Sequence, residues 1–273
     1  MGKGMLIDTT RCQGCRGCQV ACKQWNLLPG VVTSFSATQT NPPSLNASTY
    51  NIVEFHELEG AQGDISWHFA QKRCLHCLRP RCVATCPVDA IVKLPDGAVV
   101  VDREICDAVQ ACECPFGGNQ PIGLLTFDLE EGKAFKCTFC WDRQEEGLEP
   151  ACARTCPSNA IEFGERDELI VQARARIQGN PDRYYNHIYG EFEAGGTSIM
   201  YLTAVAPVEL GFPVLGSAPL DEVPSDGEPS DGEPSAVGTG IPWGIPAGVA
   251  GFIAAMGGLL YFRARRAKGK VKS

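Results

Sequence analysis

Fifteen cysteines stand in four short groups, and the spacing within those groups constrains this chain more than any other feature. They are Cys12, Cys15, Cys18 and Cys22; Cys74, Cys77, Cys82 and Cys86; Cys106, Cys112 and Cys114; and Cys137, Cys140, Cys152 and Cys156. The first group reads C-x2-C-x2-C-x3-C. In that spacing three thiolates hold one iron–sulfur cubane and the fourth reaches the neighbouring cluster. Two other chemistries use dense cysteine. A disulfide scaffold needs no repeated x2 spacing, whereas three of the four groups open on C-x2-C and later close on C-x3-C. Zinc does use C-x2-C pairs. The prolines after Cys86, Cys114 and Cys156 belong to the cluster signature and not to zinc knuckles. Iron–sulfur centres, and therefore electron transfer, are what the spacing predicts.

The 273 residues suffice for one or two domains around such centres. Their assembly then contributes to folding as a structural metal does. The charge excludes a nucleic-acid binder: residues 1–240 carry 32 acidic and 18 basic side chains, or −14. No apolar signal segment precedes Cys12. From Ile241 to Phe262 there are 22 residues without a charge, which predicts a transmembrane helix over 240–262. Six basic residues follow it, so a basic tail at 263–273 is expected in the cytoplasm. The cluster domain, 1–217, is then expected at the membrane on the outer face. Between them, 218–239 repeats Pro-Ser-Asp-Gly-Glu and reads as a disordered acidic linker. Within the domain, 26–50 reads as a surface excursion and 51–57, 65–69 and 97–101 as strands. Apolar residues at 169, 170, 173 and 177 predict an amphipathic helix from Glu165 to Ile177.

Three further stretches carry a family resemblance: D8-T-T-R11-C-x-G14-C-R-G17-C-Q-V-A-C22-K, C137-T-F-C140-W-D-R143, and E149-P-A-C152-x3-C156-P-x2-A160-I161. With N41-P-P43 and G195-G-T-x2-M200-Y, the chain resembles the iron–sulfur (beta) subunit of membrane-bound molybdenum or tungsten formate dehydrogenase. The resemblance spans roughly residues 3–205. It implies an α+β fold of tandem pseudo-symmetric ferredoxin-like units with long insertions, plus the C-terminal transmembrane helix. One unit would take about 1–30 with 128–165, the other about 58–127.

The resemblance also implies the ligand sets. Cys12, Cys15 and Cys18 with Cys156 would hold one [4Fe-4S] cluster. Cys137, Cys140 and Cys152 with Cys22 would hold the second, and Cys74, Cys77 and Cys82 with Cys114 the third. Cys86, Cys106 and Cys112 remain for a fourth site, where Val109 replaces a cysteine and two residues are missing before Cys114. That site is either a [3Fe-4S] centre or one that has lost its cluster.

The implied role is non-catalytic. Electrons would pass from a molybdenum- or tungsten-bis(pterin) subunit that oxidises formate to a membrane cytochrome b-type partner that reduces quinone. Alternatives are the matching subunit of a thiosulfate, polysulfide, nitrate or sulfoxide reductase, or a stand-alone membrane-tethered ferredoxin. His76 is expected near a sulfur. For Lys23, Lys72, Arg73, Lys136 and Arg143, beside the cysteines, tuning of cluster potential and ordinary surface charge both remain open.

Overall fold

In a computed structural model of the chain, the residues described are 2–35, 37–60, 63–106, 125–128 and 131–219. Two contact units divide the chain, Met1–Asp226 and Gly227–Ser273, and every described residue belongs to the first. In chain order the elements are β1 (Lys3–Asp8), α1 (Gly17–Trp25), β2 (Asn51–Glu59), β3 (Ile65–Arg73), α2 (Arg81–Ala84), β4 (Ile91–Lys93) and β5 (Val99–Val101). There follow β6 (Thr126–Asp128), β7 (Lys133–Phe135), α3 (Trp141–Glu145), α4 (Ala151–Arg154), β8 (Ile161–Glu165), α5 (Arg166–Gly179) and β9 (Ile199–Leu202).

One three-stranded sheet, ordered β8-β1-β9, ties the ends of this unit together. β1 runs antiparallel to β8 (Ile7 opposite Ile161) and parallel to β9 (Leu6 opposite Met200). Side chains alternate across a sheet, so each strand serves two faces. Leu6, Met200 and Leu202 turn to α5 and meet Leu169, Ile170, Ala173 and Ile177. Met5, Ile7, Ile199 and Tyr201 turn the other way, into the core that contains most of the cysteines. The periodicity that predicted α5 is thus the stripe covering one face of this sheet. Leu6 is fully buried between them. Leu6→Ala should lower stability by about 2–5 kcal/mol, read from a denaturant midpoint, with iron content kept; a midpoint equal to that of the parent would contradict this packing.

The remaining strands form hairpins, β2-β3, β4-β5 and β6-β7. On the long first hairpin Phe55 meets Trp67 and Phe69 edge to face, and those two rings lie tilted to each other. The loop of the first cysteine group presses on it: a Cβ at Gly14, where φ is +64°, would lie 3.0 Å from the Phe69 ring. The expected strands at 51–57 and 65–69 are both present but longer, because each pairs along its full length with the other.

A repeat is visible in the backbone. Pro80 precedes α2, then come Cys82, Cys86-Pro87, Asp89 at φ 52° and β4. Pro150 precedes α4, then come Cys152, Cys156-Pro157, Asn159 at φ 48° and β8. In each copy an amide four residues on donates to the sulfur before proline: Ala90 N to Cys86 Sγ (3.2 Å) and Ala160 N to Cys156 Sγ (3.3 Å).

The expected architecture is corrected at its C-terminal end. Among the described residues no helix is long and apolar enough to cross a membrane. The longest of these, α5, has 14 residues. It would reach only about 21 Å of the roughly 30 Å of hydrocarbon, and it begins Arg-Asp-Glu. The transmembrane helix expected at 240–262, and the single-pass placement built on it, are therefore withdrawn. That run and the tail at 263–273 lie outside the described residues, as does the linker from residue 220 on.

Candidate metal centres

The first and last cysteine groups are set by short local structures. Asp8 is fully buried and accepts from Thr10 N (3.1 Å) and Tyr184 Oη (2.9 Å), fixing the turn that delivers Cys12. Cys18 and Cys22 lie one turn apart on the buried face of α1. Cys140 and its neighbour Phe139 have positive φ, 51° and 59°, and the loop closes with Phe139 N donating to Cys137 Sγ (3.3 Å). α1 packs against α4, which carries Cys152.

Groups remote in sequence therefore meet. Burial pushes the Cys22 thiol well above its ordinary value, and the nearby Cys137, Cys152 and Cys140 push it further. Cys140 is pushed up to about 12 by burial, then by Cys152 and Cys137. Cys12 is raised by burial and by Cys156 and Cys15 beside it. Burial takes Cys18 to about 12, with Cys152 next and Cys12 also near, so the first and last groups adjoin at α1. Cys82, taken to about 11 mainly by burial, neighbours Cys74. Cys86 and Cys106 share a small apolar cluster with Ala90, Ile91, Val99, Leu125 and Ala134. Ala134 N donates to Cys106 Sγ (3.4 Å). Cys112, Cys114 and Val109 lie outside the described residues.

Thiols held this high are protonated near neutral pH, so a bound metal must displace their protons. None of the described cysteines forms a disulfide. Among the described residues no three metal-ligating side chains converge on one ion position, as a tetrahedral zinc site requires. The surroundings fit a larger inorganic group with its own acceptors. Arg73 Nε, His76 Nε2 and Tyr201 Oη are buried with no hydrogen-bond partner. Tyr201 is near Cys137, Cys74 and Cys152, and burial holds its hydroxyl protonated. His76, fully buried, accepts from Val99 N–H at Nδ1 (2.9 Å) and stacks on Phe139 with centroids 5.0 Å apart. Burial, then Lys136, Arg73 and Lys93, hold it neutral, so its proton is on the unpartnered Nε2. The inorganic sulfide of an iron–sulfur cluster would supply the acceptor these donors lack.

The cations beside the cysteines separate into two kinds. Arg143 is half-buried, lies over Trp25 and donates to Glu149 O (2.6 Å), and Lys23 bonds Ser48 O. Lys72, Arg73 and Lys136 are buried. Lys72 lies over Phe212 (3.7 Å) and Lys136 donates to Cys137 O (2.9 Å), whereas Arg73 reaches sulfur itself. Sequence reasoning left all five alike. No sequence signal separates them: Arg73 directly precedes Cys74, and Lys136 likewise precedes Cys137.

Two family models, each described as a 4Fe-4S dicluster domain, match residues 11–90 and 65–166. The chain carries [4Fe-4S] centres of that type. It is 35% identical to formate dehydrogenase 2 subunit beta (cytochrome c-553) of Nitratidesulfovibrio vulgaris, over 75% of this chain and 94% of that one. Against the nitrate-inducible formate dehydrogenase iron-sulfur subunit of Escherichia coli it is 35% identical, over 72% of this chain and 66% of that one. A further Nitratidesulfovibrio vulgaris protein is 38% identical, and there the chain spans only 54% of the relative's length. Identity at this level across nearly the whole of one such subunit means that the chain belongs to the iron–sulfur (beta) subunit family of formate dehydrogenase, among the complex iron–sulfur molybdoenzymes.

Proposed function

We propose that this chain carries electrons from a molybdenum- or tungsten-bis(pterin) subunit oxidising formate to a cytochrome-bearing membrane partner. In keeping with its family, it is a non-catalytic electron-transfer subunit. The observation that supports the reading best is the interleaving of groups: Cys22 from α1 lies among Cys137, Cys140 and Cys152, and Cys156 beside Cys12. We assign Cys137, Cys140, Cys152 and Cys22 to one [4Fe-4S] cluster and Cys12, Cys15, Cys18 and Cys156 to its neighbour. Cys74, Cys77, Cys82 and Cys114 are assigned to a third. The backbone repeat supports a division into units of about 1–30 with 128–165 and about 58–127, within a domain of 1–217. When bound, such clusters accept and release single electrons. The protein's own contribution is burial, spacing and hydrogen bonds to sulfur.

For the fourth site we propose that Cys86, Cys106 and Cys112 hold no cluster. Iron and sulfide analysis decides the number: about 12 irons per chain for three [4Fe-4S] clusters and about 15 with an added [3Fe-4S] centre. The isotropic EPR signal of a [3Fe-4S] centre in air-oxidised protein would overturn the empty-site assignment. For the function, the purified complex should reduce a viologen with formate. Activity confined to thiosulfate, nitrate or a sulfoxide would move the chain to a reductase, and isolation as a monomer after mild detergent would make it a free-standing carrier.

A further inference from the structure

Arg73 is 2% exposed, with its side chain inside the cysteine-rich core. Nη2 donates to Cys137 Sγ at 2.7 Å, and Nη1 to Cys152 Sγ at 3.0 Å, with Met5 Sδ at 3.2 Å. Among the described residues, no carboxylate lies within ion-pair distance of it. A guanidinium cannot shed its proton, so a buried one needs anions around it. Those within reach are cysteine sulfurs, which become anionic on binding iron: Cys137 and Cys152 in contact, Cys22 close by, and Cys18 of the neighbouring set without a hydrogen bond. With Cys140, these are the four residues assigned above to a single cluster. Cys82 faces a different cation, Lys136, and that ammonium is bonded to the carbonyls of Val99 and Cys137. One centre therefore has a fixed positive charge hydrogen-bonded directly to its sulfur ligands.

Adding an electron to a centre makes its sulfurs more negative, and N–H···S bonds to a cation then strengthen. The low local dielectric enlarges this effect over what it would be at a surface. We propose that Arg73 selectively raises the reduction potential of the centre held by Cys22, Cys137, Cys140 and Cys152, so that an electron in transit rests there. The inference depends on those four cysteines sharing a cluster. Arg73 adds a further link, because the next residue, Cys74, belongs to another ligand set. The backbone that holds the tuning charge of one centre is thus continuous with a ligand of the next.

The test is an EPR-monitored potentiometric titration of the full chain in its complex, comparing the parent with Arg73→Lys and Arg73→Gln. Iron and acid-labile sulfide are measured first. Cys140→Ala identifies the signal of the relevant centre by its disappearance. If Cys140→Ala removes no signal, the ligand assignment itself is wrong, separately from the role of Arg73. With the signal identified, its midpoint should move negative in Arg73→Gln, and by less in Arg73→Lys, which keeps the charge and loses the two-pronged contact. The other midpoints should move by less, since Cys18 of the neighbouring set feels the charge without bonding to it. If Arg73→Gln does not load iron, Arg73→Lys decides alone. An iron-replete variant in which no midpoint moves, or in which all move together, overturns the proposal. So does a shift in Arg73→Lys as large as that in Arg73→Gln.

Discussion

Cys152→Ala will be recovered with most of its iron missing and its cooperative unfolding lost. Cys152 is 2% exposed at the start of α4, where it neighbours Cys22 and Cys140 and accepts from Arg73. Alanine removes a proposed ligand and at the same time leaves a buried guanidinium short of an anion. Breaking a buried charge pair in this way costs on the order of 3–5 kcal/mol, a large fraction of the 5–15 kcal/mol a domain typically has. Cys15 offers the contrast, because it is exposed. Cys15→Ala should also lose the centre it serves, yet leave the β8-β1-β9 sheet folded, since no buried charge is stranded. Iron per chain and a near-ultraviolet circular dichroism melt separate the two outcomes. Full iron in Cys152→Ala would refute the site as described.

Gly190→Ala should be nearly as damaging without touching a cysteine. Gly190 has φ +95°, and a Cβ there would lie 2.5 Å from Thr197 Oγ1 and 2.6 Å from Ile199 O. The second of these is backbone and cannot swing aside. Gly190 also donates to Glu193 Oε2 (2.7 Å) and accepts from Thr197 N (2.8 Å), so the turn feeding β9 is held from both sides. Strain and clash together should cost about 3 kcal/mol or more. Gly216→Ala is the control, since nothing lies within 4 Å of its Cβ position, and it should change stability by no more than about 0.5 kcal/mol. Denaturant midpoints of the two variants are the measurement. Equal midpoints would mean that the turn at Gly190 relaxes freely.

Much of the site was legible because cluster ligation is written in spacing. That Cys22 would join Cys137, Cys140 and Cys152 was implied by the family resemblance, and the structure brings Cys22 near those three. The helix expected at Glu165–Ile177 was legible from its stripe, and the strands β2 and β3, though not their pairing, from alternating or β-branched runs. Their greater length was not, since pairing partners extend a strand beyond its own pattern. Neither the sheet order β8-β1-β9 nor the partner of Tyr184 could be read from local periodicity. Both depend on contacts across more than a hundred residues. Arg73 and Arg143 look alike in sequence, each a cation beside a cysteine group. Only tertiary burial makes one a cation bonded to cysteine sulfur and the other a cover for Trp25.

The pairing of β1 with β8 and β9 bears on how the chain is made. A ribosome releases Ile7 long before its partners Ile161 and Tyr201 exist. At 5–20 residues per second the interval is roughly 8–30 s to Ile161 and roughly 10–40 s to Tyr201, and for most of it Cys12 to Cys22 have no partner group to meet. Iron delivered during synthesis would find an incomplete set of thiolates. Loading of the two centres we assign across these groups should therefore follow synthesis of Cys156. A ribosome-stalled chain that ends before Cys152 and nevertheless retains iron at Cys12–Cys22 would show that the order is different.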